Sequence, residues 1–214
     1  LIMTAKIKLN AASGGGSFSL QAPSSSANNR VISLPDIADG TLLTSQSSLD
    51  STKLSPAISA GITMQDSWRL TTNTTGDFLL SANLERADTF SQGLIGSAMT
   101  VSSGIWTFPT TGIYMVEIHT MTSIQNAFNR YIETYIYATT DGTNYNEAAR
   151  GVGGVGDSNS NSYDGTHAYL SFDVTNTSTH KVYFNQSVAN NSTLTHGNSD
   201  RNYTYMMFRK LADT

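Results

Sequence analysis

Few residue groupings in this chain could do chemistry, and each can be held against the geometry that its chemistry needs. Gly151-Val152-Gly153-Gly154-Val155-Gly156 matches G-x-G-x-x-G, the run that brings backbone amides close to a pyrophosphate. That use requires a strand before it and a helix after it. Asp157-Ser158-Asn159-Ser160-Asn161-Ser162 follows instead, so the run reads as a flexible loop. Asp157, Asn159 and Asn161 alternate like the opening of a calcium loop, but Ser162 stands where glycine would turn the chain and Ala168 where a glutamate would close the site. Serine, histidine and aspartate are present without a G-x-S-x-G elbow, and there is no cysteine to supply a thiolate. His119, His167, His180 and His196 lack the spacing of a zinc site, although a threefold axis could gather one histidine per chain, with His119 and His196 first in line. Glu85, Glu117, Glu133 and Glu147 show no pairing signature for glycoside hydrolysis. No catalytic residue, metal ligand or cofactor is assigned, and the chain is not expected to be an enzyme.

Composition indicates what must hold these residues. Charged side chains make up 13% of the 214 residues, against roughly a quarter in ordinary globular proteins. Serine, threonine, asparagine and glycine fill the difference, which suits turns and short strands better than helices. The net charge of −4, with no long Lys/Arg run, argues against nucleic acid. No apolar run is long enough to span a membrane, and Leu1-Ile2-Met3 is too short for a signal-peptide core. Without cysteine the fold cannot lean on disulfides, so a protein made in a reducing cytoplasm is expected.

The organisation changes near residue 60. Residues 1–45 read as a thin β-rich arm, 46–65 as a Ser-rich linker with one helical turn near Ser48 to Leu54, and 66–214 as the main domain. In the arm, Lys6-Ile7-Lys8-Leu9 and Ser17-Phe18-Ser19-Leu20 alternate on either side of a small-residue turn, and Arg30-Val31-Ile32-Ser33-Leu34 stops at Pro35. Such strands bury too little to stand alone, so Ile7, Leu9, Phe18, Leu20, Val31, Ile32 and Leu34 are expected to attach to a larger surface.

Downstream, eight strands are predicted: Trp68 to Thr72, Asp77 to Leu84, Gly104 to Phe108, Gly112 to Met121, Arg130 to Thr139, His167 to Val174, Lys181 to Val188 and Tyr203 to Leu211. Together they suit an all-β, antiparallel two-sheet jelly-roll sandwich. One parity supplies a core, with Ile132, Thr134 and Ile136, then Ala168, Leu170, Phe172 and Val174, then Val182 and Phe184. The other parity carries Tyr131, Tyr135, Tyr137, Tyr169, Tyr183, Tyr203 and Tyr205. A solvated face would be charged or small, so this one is expected to be covered, the alternative being tyrosines that lie flat on the outside of a monomer or bind sugar by stacking.

Phe108, Pro109, Gly112 and Tyr114 form an F-P-x-x-G-x-Y corner with an apolar run behind it. The corner resembles that of the trimeric jelly rolls of the tumour necrosis factor and complement globular-head superfamily. The resemblance implies a non-enzymatic homotrimer with aromatic residues around a threefold axis, and assigns the seven tyrosines to that contact. The arm, from Leu9-Asn10-Ala11-Ala12-Ser13-Gly14-Gly15-Gly16-Ser17 through Leu20-Gln21-Ala22-Pro23 and Ile32-Ser33-Leu34-Pro35 to Asp39-Gly40-Thr41-Leu42-Leu43, resembles the amino-terminal segment of bacteriophage virion proteins. That resemblance implies a capsid decoration, cement or head-fibre protein at the virion surface, assembled in the host cytoplasm. Its partner would be a major capsid or tail protein of the same particle. The alternative is a tail-fibre or tail-tip protein whose loops Ala148 to Tyr163 and Val188 to Asn202 recognise a host glycan. A secreted signalling ligand is a third class, disfavoured by the lack of cysteine and of a leader.

Overall fold

The computed structural model describes residues 6–10, 13–21, 61–156 and 159–214, which divide into one unit within Leu1–Leu49 and another within Asp50–Thr214. No helix occurs among the described residues. In the first unit β1 (Lys6–Asn10) pairs antiparallel with β2 (Ser17–Gln21), with Ile7 opposite Leu20 and Leu9 opposite Phe18. Gly14 and Gly15, at φ of 86° and 70°, turn the chain between them. Val31, Ile32, Leu34, the linker and its expected helical turn lie outside the described residues.

The second unit is a sandwich of two antiparallel sheets. One contains β12 (Asn161–Val174), β9 (Gly112–Gln125), β15 (Tyr205–Ala212), β3 (Gln65–Leu70) and β6 (Leu84–Arg86) in that order, with β14 (Leu194–Thr195) and β4 (Thr74–Thr75) continuing from the far end of β9. The other runs β11 (Asn146–Val155), β10 (Asn129–Thr139), β13 (Lys181–Val188), β8 (Ile105–Thr107) and β7 (Thr100–Ser102), with β5 (Phe78–Leu79) also on β13. Strict alternation builds both layers. Along β9, Tyr114, Val116 and Ile118 are buried while Ile113, Met115 and Glu117 are not, and β13 alternates the same way through Val182 and Phe184.

The core between the sheets centres on Trp106, which meets Trp68 edge-on at 5.1 Å, Phe208 at 4.9 Å and Phe184 at 6.2 Å. Apolar burial of this kind contributes about 1.5–3 kcal/mol per large side chain. Toward the β14 end the interior turns polar. Thr120, Thr134 and Thr166 bond one another, Gln186 Nε2 donates to Thr195 Oγ1 at 2.6 Å, and Asn129 Nδ2 donates to Thr193 Oγ1 at 2.6 Å. A charged knot seals β3 against β6. Arg69, with no solvent exposure, donates to Glu85 and Asp88 at 2.7 Å each, and buried Asp66 accepts from Arg86 at 2.8 Å and from the Met99 amide at 2.9 Å.

Two expectations need correction. The stretch Asp77 to Leu84 is broken into β5, which pairs with β13, and β6, which pairs with β3 in the other sheet, and Asn83 takes φ of 56° just before β6 begins. The glycine run expected as a flexible loop is instead the last half of β11, and the segment Ala148 to Tyr163 is mostly strand. Its glycines have a packing reason. A Cβ on Gly151 would run into the His167 carbonyl of β12, and one on Gly153 would strike the Asp164 carboxylate, whose Oδ2 accepts from Gly154 N at 2.7 Å. Within Val188 to Asn202, β14 is likewise ordered strand. Asp157, the first residue of the calcium-like motif, lies outside the described residues.

Candidate functional site

The corner that the sequence singles out joins β8 to β9. Phe108 is buried, with its ring 4.7 Å from Tyr114 and 5.8 Å from Phe172. Buried Tyr114 donates its hydroxyl to the Thr110 carbonyl at 3.1 Å, which ties the start of β9 back to the turn that follows Pro109. Gly112 takes φ of +142°, and a Cβ there would meet Lys210 Cε and lie 2.6 Å from the Ala212 carbonyl oxygen. Only glycine fits that conformation without strain.

The seven tyrosines do not share a face. The core lies between the layers, so the outward parity of each sheet points away from the other. Tyr169 and Tyr205 stand on the β12/β9/β15 sheet, whereas Tyr131, Tyr135, Tyr137 and Tyr183 stand on the β10/β13 sheet. Tyr203 precedes β15 and meets His196 edge-on at 6.3 Å. Sequence parity tells inward from outward within a strand but says nothing about which sheet the strand joins.

On the β12/β9/β15 sheet, the outward positions form cross-strand rows. His167, His119 and Tyr205 stand in one row, Tyr169, Glu117 and Met207 in the next, and Ser171, Met115 and Arg209 beyond. His119 stacks on Tyr205 at 5.4 Å and 10°, and His167 lies 5.8 Å from Tyr169. Met121 continues the apolar patch opposite Gly165. Tyr169 is 63% exposed and Tyr163 55%. His119 Nδ1 is buried with no hydrogen-bond partner among the described residues. Glu117 and Arg209, 4.0 Å apart, are the charged groups within these rows. The methionines and His167 were missed from sequence, although the alternation of Met115, Glu117, His119 and Met121 carried the signal.

The β10/β13 sheet presents a different surface. Tyr137 stacks on Tyr183 at 4.7 Å and 11°, Tyr145 leans on Tyr183 at 5.1 Å, and Tyr135 follows Tyr137 at 5.7 Å. Arg150 covers Tyr135 at 4.9 Å while pairing with Glu133 at 3.1 Å and Glu147 at 2.8 Å. The Tyr135 hydroxyl donates to Glu133. Burial, and then that bond to a carboxylate, pushes the phenol up to about 12. Among the described residues no group of three or more His, Asp or Glu side chains converges as metal ligands would.

Order of strands, corner and two-layer core together settle the architecture. The fold is a tumour-necrosis-factor-like jelly roll. The structure of murine APRIL at pH 5.0 aligns with a TM-score of 0.50 at 12% identity, covering 69% of this chain and 98% of that one. Eiger TNF from S. frugiperda aligns with a TM-score of 0.51 at 10% identity, covering 72% and 96%. At such identities the likeness is one of fold. No family model matches the sequence, and no curated protein matches it either.

Proposed function

We propose that this protein is a non-enzymatic homotrimer whose jelly-roll heads assemble through the β12/β9/β15 face. We further propose that residues 1–45 hold it on a bacteriophage particle as a decoration, cement or head-fibre protein. The observation that carries the trimer is the outward patch of Met115, His119, Met121, Tyr169, Tyr205 and Met207, too apolar for a face left in water. The tyrosine face of the other sheet carries the Glu133–Arg150–Glu147 ion network and is the more soluble of the two. The virion setting is supported by the arm's resemblance to phage structural proteins. The tail-tip alternative loses support where it relied on a flexible Ala148 to Tyr163 loop, since β11 and β12 occupy most of it.

Native mass spectrometry should find about 69 kDa, three times the 23.0 kDa chain. Tyr169→Glu or Tyr205→Glu would bury three charges near one axis and should shift the mass toward monomer, while Tyr135→Glu should leave it unchanged. A monomeric parent protein refutes the assembly. A chain beginning at Asp50 should keep the trimer but lose occupancy on particles; undiminished occupancy would move attachment into the head and end the arm reading.

A further inference from the structure

The outward face of the β10/β13 sheet holds a cleft that the assembly reading does not use. It opens over about 370 Å³ between Tyr183 and Asn185 on β13, Leu79 on β5, Ser103 in the β7–β8 turn, Ile105 on β8, and Tyr145 from the β10–β11 connection. That volume lies at the lower end of the range for small-ligand sites. We propose that this cleft binds one ring of a neutral saccharide.

Three features carry the proposal. The first is the aromatic wall. Tyr145 and Tyr183 meet at 52° with centroids 5.1 Å apart, which gives a bent wall that can cover a ring's hydrocarbon face and flank its edge. Tyr137, outside the cleft, stacks flat on Tyr183 and fixes that ring before any ligand arrives. Leu79, 44% exposed, and Ile105 add aliphatic surface.

The second is the polar inventory. The Asn185 amide and the Tyr145 and Tyr183 hydroxyls make no protein hydrogen bond among the described residues, so three of the lining side chains keep unused hydrogen-bonding capacity. Burial raises both phenols above the ordinary tyrosine value, which keeps them protonated as donors at neutral pH. A pyranose presents this combination, an apolar ring face bordered by hydroxyls that both donate and accept. None of the lining side chains is charged, which favours a neutral sugar over a carboxylated or sulfated one.

The third is rigidity. Asn185 is held in register between Tyr135 and Leu79, and Ser103 and Gly104 take φ of 50° and 80°, the two-residue hairpin turn that pins β7 to β8. The site thus stands on strands and a tight turn. It lies on the layer opposite the proposed trimer face, and the inference stands whether or not the head assembles.

The test uses the full-length protein and saturation-transfer difference NMR. The probes are methyl glycosides of glucose, galactose, mannose and N-acetylglucosamine, with their di- and trisaccharides. Transfer to the ring C–H protons of at least one neutral probe is expected. Tyr145→Ala and Asn185→Ala should each weaken that binding by about three- to tenfold, and Tyr183→Phe should retain most of it. Val152→Thr, exposed on the same sheet, serves as the unaffected control. No transfer from any probe overturns the proposal. So does transfer that survives both alanine variants, a preference for sialylated or sulfated sugars, or displacement of the sugar by a proline-rich peptide at lower concentration.

Discussion

Replacing Gly112 tests the corner most directly. At φ of +142° the residue sits where a side-chain-bearing residue is strained by about 1–3 kcal/mol. A methyl group would add a collision, since the Cβ meets Lys210 Cε and approaches the Ala212 carbonyl to 2.6 Å. The lysine can swing aside only by loosening its 2.6 Å pair with Asp213, and the carbonyl belongs to backbone where β15 already shifts register. Overpacking against main chain adds about 1–3 kcal/mol. Gly112→Ala should therefore cost about 2–6 kcal/mol, and Gly112→Val at least as much. For a domain of this size that corresponds to a fall in Tm of about 5–20 °C, read by calorimetry at fixed protein concentration. Gly142→Ala is the internal comparison: its φ is +81°, but the nearest atom to an added Cβ is 3.6 Å away, so it carries strain without collision. Equal losses at the two positions would refute the collision, and a Gly112→Ala loss below about 0.5 kcal/mol would refute the corner as described.

Gly151→Ala should destabilise the head by about 1–3 kcal/mol in urea titrations because its methyl has no room against the β12 backbone, whereas Gly156→Ala, with nothing within 4 Å, should be neutral. Arg69→Met should cost about 1–3 kcal/mol, less than the 3–5 kcal/mol of a sealed ion pair, because Asp88 is 77% exposed and can turn to water; no change in the urea midpoint would deny the knot a structural role. Folded Tyr135 keeps a proton that the unfolded chain releases from 10.0 upward, so stability should fall as pH rises from there through about 12. Tyr135→Phe should flatten part of that decline in denaturant titrations at stepped pH, and an unaltered slope would contradict the raised phenol.

Most of the head was legible because its strands are two-sided. Lys181 to Val188 alternates cleanly and β13 has those bounds, and Gly112 onward reads as β9 for the same reason. What failed was information that alternation does not carry. β11 reads as a loop because glycine is a poor strand former, and the reason for glycine there is a neighbour far along the chain, the β12 backbone. Parity alone groups the tyrosines together, whereas their division between layers is a property of strand order. Tyr145, in a connection between strands, had no periodicity to mark it. Arg69 would pass for a surface charge by type, and only the ring of Glu85, Asp88 and Thr89 explains its burial.

The close approach of β11 to β12 also bears on self-association. Each is the last strand of its own sheet on the same side of the sandwich, and an outermost strand normally offers a row of unpaired amides and carbonyls to any passing chain. Here the glycines let the two margins lean into each other, so the flank that would template strand addition is turned inward. A head built this way can stand beside many copies of itself without zipping to them through that flank. Substituting bulk into the glycine run should therefore give not only a weaker fold but one that clumps.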